Sequence, residues 1–253
     1  MKKAVLYTSL SALLFAGSAT AGLIKNGELP MWSANGWTQF ADDDGHKSNG
    51  YVNPGWGGQA FDAEFLYYKL DGSILSIGLQ TGFDIEDNMI THGSRDYYGG
   101  DIQLVLNGGE EFAIDFGLFT QSYNNEYSGT DDAGVYGNVT WNNDIYFSSE
   151  SSPFAMENGD KVADLLSNGV GSAVVGGELS YYRTVSVDLN DLLGAGSDLY
   201  SLSAHWTMSC GNDAIDGYTP VPPTSVPEPS SLALMSLGLI GLLGGVAARR
   251  RRG

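Results

Sequence analysis

His205 and Cys210 lie in the stretch HWTMSCGND, and a cysteine near a histidine is the pairing that generates a thiolate nucleophile. The surrounding pattern argues against that chemistry. Tyr200, Leu202, Ala204, Trp206, Met208 and Cys210 alternate with Ser201, Ser203, His205, Thr207 and Ser209. This period of two predicts a strand with one face in the core and the other in water. An odd spacing places His205 and Cys210 on opposite faces of it. Cys210, beside Trp206 and Met208, then reads as a protonated, inert structural thiol, and His205 as a solvent-facing strand residue.

Other groups carry weaker patterns. The run Asp42-Asp43-Asp44-Gly45 offers oxygens of the kind Ca2+ gathers, roughly six to eight at a time. It lacks the spaced ligands and distal Glu of an EF-hand, and three adjacent aspartates cannot all face one ion in a strand. The run therefore reads as a solvated loop, as do Asp131-Asp132 and Asp213/Asp216. His46, His92 and His205 stand at no zinc-ligand spacing. No nucleophile elbow, phosphate loop or dinucleotide fingerprint occurs. Two carboxylates would suffice for a glycosidase, but nothing selects a pair. No catalytic, cofactor or metal residue is assigned, and a non-enzymatic role is expected. Trp32, Trp37, Trp56, Tyr97, Tyr98, Tyr123 and Tyr127 lie in Gly/Asn/Asp-rich surroundings. Such rings either stack on sugars or pack beneath loops, and packing is the expectation here.

The elements that must position these groups read as β. In Phe61–Gly82 an Asp71-Gly72 hairpin loop would set Leu70 against Ser73, Tyr68 against Leu75 and Leu66 against Ile77. Leu66, Tyr68, Leu70, Leu75, Ile77 and Leu79 then share one face. In Asp101–Phe119 a three-residue loop, Asn107 to Gly109, pairs Leu104 with Phe112 and Ile102 with Ile114; a two-residue loop would turn one apolar set outward. Further strands are expected around Val139–Phe147 and Leu179–Leu189, and a short helix over Gly159–Ser167. The expected fold is all-β: an antiparallel, jelly-roll-like β-sandwich in a single body, residues 22–218.

Charge and termini speak to destination. Between Gly22 and Val226 six basic residues face 29 acidic ones, a net −23. A body that acidic repels nucleic acid. The N-terminus, MKKAVLYTSLSALLFAGSATAG, sets two lysines before an apolar run and ends in Ala19-Thr20-Ala21, so a signal peptide over 1–21 cut by signal peptidase is expected, with Ala19 and Ala21 filling the enzyme's small pockets. One cysteine cannot form an internal disulfide, so an exported body must stand on its core. At the other end a Pro-rich spacer, 219–226, favours an extended conformation. Ser231–Ala248 is uncharged and long enough to span the inner membrane as a helix, with Arg249, Arg250, Arg251 and Arg252 retained on the cytoplasmic side.

The order Pro227-Glu228-Pro229, short Leu/Gly/Ala span, Arg cluster resembles the PEP-CTERM sorting signal of Gram-negative bacteria, here over 227–253. HWTMSCGNDAIDG before the proline spacer is similar to a terminal-strand signature in proteins of that group. The resemblance implies recognition of Pro227, Glu228, Pro229 and Arg249–Arg252 by an exosortase. It also implies transient anchoring in the inner membrane, and a non-catalytic surface or matrix role in association with exopolysaccharide. A carbohydrate-binding module using the aromatics, or a secreted hydrolase, are the alternatives.

Overall fold

The computed structural model describes residues 23–221. The signal-peptide residues Ala19 and Ala21, the sorting residues Pro227–Pro229 and Arg249–Arg252, and the span expected at 231–248 lie outside the described residues. Among those described, no helix is long and apolar enough to cross a membrane.

Two antiparallel sheets form the body. Numbered in chain order, their strands are β1 (Thr38–Asp42), β2 (Ala63–Asp71), β3 (Ile74–Thr81), β4 (Ile102–Leu106), β5 (Glu110–Asp115), β6 (Gly134–Asn142), β7 (Ala155–Ala163), β8 (Ser167–Val175), β9 (Glu178–Asp188), β10 (Ser201–Thr207) and β11 (Ala214–Pro220). One sheet runs β7-β6-β5-β4-β10-β11, the other β8-β9-β3-β2-β1. In the first, β4, β5 and β6 are sequential neighbours and β10 returns to lie beside β4, the order of a Greek key. Leu66, Leu79 and Val185 from one sheet meet Leu104, Ile114 and Trp206 from the other in a single buried cluster.

The β2–β3 hairpin differs from its expected register. Its loop is Gly72-Ser73, so Leu70 pairs with Leu75, Tyr68 with Ile77 and Leu66 with Leu79. Positive φ falls only on the first loop residue, Gly72, which suits a type II′ turn rather than I′. A shift of two keeps every side chain on its face, so the apolar set is unchanged. The β4–β5 hairpin has the expected three-residue loop, with Ile102 against Ile114 and Leu104 against Phe112.

Three local expectations are overturned. Residues 159–167 are not a helix: pairing with β6 extends β7 to Ala163, and β8 begins at Ser167. Cross-strand pairing outweighs the local helical pattern there. The polar face of β10 is not wet either, since His205 and Thr207 are both buried. Thr207 Oγ1 donates to the Asp213 carbonyl (2.6 Å), and the His205 ring nitrogens lie 2.8 Å from Asp216 Oδ1 and 2.9 Å from the Pro153 carbonyl oxygen. Alternation marks side-chain type, and a polar face can be sealed when hydrogen bonds satisfy it. Finally, β11 runs through Thr219 and Pro220, residues read as spacer; Pro220 pairs with Ser201 at the sheet edge, where a missing N–H is tolerated.

One step beyond the Ile102–Ile114 pair, Asp101 and Asp115 are both buried. Their charges repel across the ladder. Asp101 Oδ2 accepts the Met156 N–H (2.8 Å) and Asp115 Oδ1 the Gly117 N–H (2.5 Å). Burial pushes the Asp115 carboxyl up to about 6, with Asp131 and Asp132 adding to the rise and Lys161 opposing it. Asp101 is raised further by burial and by Asp115. A carboxyl raised on folding binds its proton more tightly in the native state, so stability falls as pH rises from about 4 to about 6. Asp115→Asn, which keeps the Gly117 acceptor, should remove about 2–3 kcal/mol of that fall, read from denaturant unfolding across pH 4–7.

Candidate functional site

Loops from five parts of the chain converge at one end of the sandwich on a cleft of about 230 Å3. Trp56 comes from the loop before β2, and His92 and Tyr97 from a hairpin, Met89–His92 with Arg95–Tyr98. Tyr123 and Tyr146 come from the β5–β6 and β6–β7 connections, and Asn212 from the turn after β10. The rings form a contiguous series: Phe61 to Tyr97 (5.4 Å between centroids), Tyr97 to Tyr123 (6.4 Å), Tyr123 to Tyr146 (5.5 Å) and Tyr146 to Phe147 (4.8 Å). Trp56 is 58% exposed and Tyr146 65%.

Three of the rings have identifiable supports. Gly55 N–H donates to the Asn212 carbonyl (2.7 Å) and Asn212 Nδ2 to the Trp56 carbonyl, fixing the Trp56 loop on the turn after β10. Gly57, at φ +131, passes so close to the Phe61 ring that a Cβ there would lie 2.0 Å from it. The Arg95 guanidinium lies 4.0 Å from the Tyr123 ring centre and donates to the Tyr123 carbonyl (2.7 Å). The volume is below the ~300–1,000 Å3 of pockets that engulf a drug-sized ligand, so the cleft suits a ring-sized part of a larger molecule.

Of the seven aromatics singled out in the sequence, Trp56, Tyr97 and Tyr123 meet here. Trp32 does not: it is 1% exposed, stacked on Tyr67 (4.3 Å) behind the five-stranded sheet, with Trp37 edge-on to it. Tyr98 packs against Phe119, and Tyr127 against the small cluster of Ile145 and Phe154. Tyr146 and Phe147 were not singled out, and His92 was weighed only as a zinc ligand. Their ring types were visible, but their adjacency is set by loop paths that no periodicity encodes.

A second polar locus lies where the N-terminal segment meets β1 and β2. Asp42 and Asp43 are exposed, with Asp42 paired to Lys25 (3.4 Å), but Asp44 is 2% exposed and joins Asp62 and Glu64, both fully buried. One oxygen from each of these three lies within 4.8 Å of the others. The solvated-loop expectation therefore holds for Asp43; Asp42 is solvated but ends strand β1, and Asp44 is buried. Burial, then the neighbouring Glu64 charge, pushes the Asp62 carboxyl up to about 8, and burial also raises Glu64. Asp62 and Glu64 were legible only as two acids inside the apolar stretch FDAEF. A β-bulge between Ala63 and Phe65 redirects the strand there. Asp213 is buried and accepts the Ala63 N–H (2.7 Å), Asp216 is exposed beside His205, and Asp131 and Asp132 are exposed.

The geometry says nothing of destination; the C-terminal sequence does. Residues 225–252 match the family model of the PEP-CTERM protein-sorting motif. The chain carries a PEP-CTERM signal. The motif implies export, transient membrane anchoring and exosortase processing. No curated protein and no solved structure was found to match the chain.

Cys210 lines the floor of the cleft yet is 2% exposed, and burial pushes its thiol up to about 12. The native protein at pH 8 should therefore leave this thiol unmodified by a disulfide-exchange reagent over the time in which guanidinium-unfolded protein reacts completely, at one thiol per chain. Rapid labelling of the folded protein would contradict the burial.

Proposed function

We propose that the protein is a non-catalytic, exosortase-sorted surface or matrix component that associates with exopolysaccharide, and that the aromatic cleft is its glycan-contacting face. The observation that carries this reading is the contiguous run of rings from Phe61 to Phe147, which includes the exposed Tyr146, in a cleft that the exposed Trp56 also lines. A flat ring buries the apolar face of a sugar while nearby polar groups bond its hydroxyls. Asn212, His92 and the Tyr97 and Tyr123 hydroxyls stand around the cleft for that purpose. Among the described residues the lining is aromatic and amide in character and holds no carboxylate. The acidity of the body favours a neutral or cationic glycan over an anionic one. An open cleft that admits one ring at a time suits a long polymer, which can present many such rings to many copies of the protein.

Titration of the purified protein with exopolysaccharide from the producing cells should give saturable binding. Trp56→Ala and Tyr146→Ala should each weaken it about tenfold or more, whereas Trp32 variants probe the packing behind the sheet and not this face. Absence of saturable binding would remove the glycan assignment. The sorting half has its own readout, the intact mass of the native protein. The expected species begins at Gly22 and has lost Arg249–Arg252; recovery of an intact tail from cells with active exosortase would rule out processing.

A further inference from the structure

We propose that Asp44, Asp62 and Glu64, together with Asn26, form a Ca2+ site that fastens the N-terminal segment to the five-stranded sheet. The three carboxylates come from separate places: Asp44 follows β1, Asp62 precedes β2, and Glu64 lies within β2 at its bulge. Two oxygens on opposite sides of a Ca2+ ion stand about 4.6–5.2 Å apart, twice the usual Ca–O distance. One oxygen from each of Asp44, Asp62 and Glu64 already lies within 4.8 Å of the others.

Asn26 supplies an independent reason. Its residue is 7% exposed, and its Oδ1 has no hydrogen-bond partner. With Arg183 Nε, it is one of two buried side-chain polar atoms in that state among the described residues. The amide is set into the cluster: the Asn26 backbone N–H donates to Asp44 Oδ1 (3.1 Å), and Nδ2 points at Gln59 Oε1 and Glu64 Oε1. Turning the amide over would bring Oδ1 against Gln59 Oε1 and Glu64 Oε1, two more acceptors. In either orientation the amide oxygen lacks a donor, and a cation held by the neighbouring carboxylates would supply its missing partner.

The existing hydrogen bonds leave room for one. A carboxylate has about four acceptor positions. Asp44 uses its oxygens for the Asn26 and Gly27 N–H groups, and Asp62 accepts from Gly45 N–H alone (3.2 Å at the nearer oxygen). Glu64 Oε2 accepts only from Gln80 Nε2. Among the described residues no basic side chain pairs with the three: Lys25 reaches Asp42 instead, and His46 turns its Nε2 to Glu178 (3.2 Å). All the donors are oxygens, and amide and carboxylate oxygens suit Ca2+, whereas zinc favours nitrogen and sulfur.

The test is thermal unfolding of the purified protein in chelator and in Ca2+, with calorimetric titration of Ca2+ alone. Wild type should bind one ion per chain and melt about 5–10 °C higher at a hundredfold excess over Kd. Asp62→Asn removes a ligand charge but also a repulsion. It should melt in chelator no lower than wild type, which shows that it folds, and gain little or nothing from Ca2+. Equal wild-type melting in chelator and Ca2+, or an undiminished Ca2+ response in Asp62→Asn, would overturn the site.

Discussion

A carboxylate removed from water must find donors inside the protein, and Glu64 organises much of this fold by that need. It accepts from Gln59 Nε2 (2.7 Å), Ser180 Oγ (2.7 Å), Gln80 Nε2 (2.5 Å) and, more distantly, Asn26 Nδ2. Those donors belong to the N-terminal segment, the turn before β2, β3 and β9, so one buried group ties four stretches of chain. Gln80 carries the connection onward, since its Oε1 accepts both the Leu29 N–H (3.0 Å) and the Trp32 indole (2.7 Å). The short helix Pro30–Ala34 is thereby fixed over the outer face of the five-stranded sheet, where Trp32 stacks on Tyr67. Removing one donor from such a network leaves a buried charge short of partners, which costs far more than an exposed hydrogen bond.

The same economy appears on the other sheet. The segment between β6 and β7 covers the polar face of β10, with His205 directed at the Pro153 carbonyl and at Asp216. Each sheet therefore has part of its outer face covered as well as a shared core. Tyr146 and Phe147 are part of that cover, which is why they can present rings from a rigid base. Arg95 serves the neighbouring loop in the same way, holding Tyr123 by its ring and by its carbonyl.

The legible parts of the fold were those governed by local period. The β4–β5 register followed from matching apolar residues across a loop, and the core face of β2 and β3 followed even though the turn itself was misplaced by one residue. What failed had a nonlocal cause. A helical reading of 159–167 gave way to pairing with β6, and His205 lost its solvent to a segment more than fifty residues earlier in the chain. The burial of Asp44 was hidden because its partners lie some twenty residues on, Asp62 just before β2 and Glu64 within it, and because nothing in a run of aspartates says which one turns inward. In the cleft, Trp56, Tyr97 and Tyr123 were visible as candidates but not as neighbours, and their companions Tyr146 and Phe147 were not visible as candidates at all.

The register of the sheets bears on how the chain can be exported. Ile77 pairs with Val185 and Leu104 with Ala204, so each sheet is closed by partners on the order of a hundred residues apart in the chain. Until β9 and β10 are present, β3 and β4 each lack one neighbour. Long-range pairing of this kind delays collapse into the final structure. A polypeptide threaded through a translocon must stay unfolded until it is across, and here the strands that complete both sheets come last, just ahead of the sorting tail. With this topology a chain that emerges N-terminus first has all the strands of both sheets only once β11 has emerged.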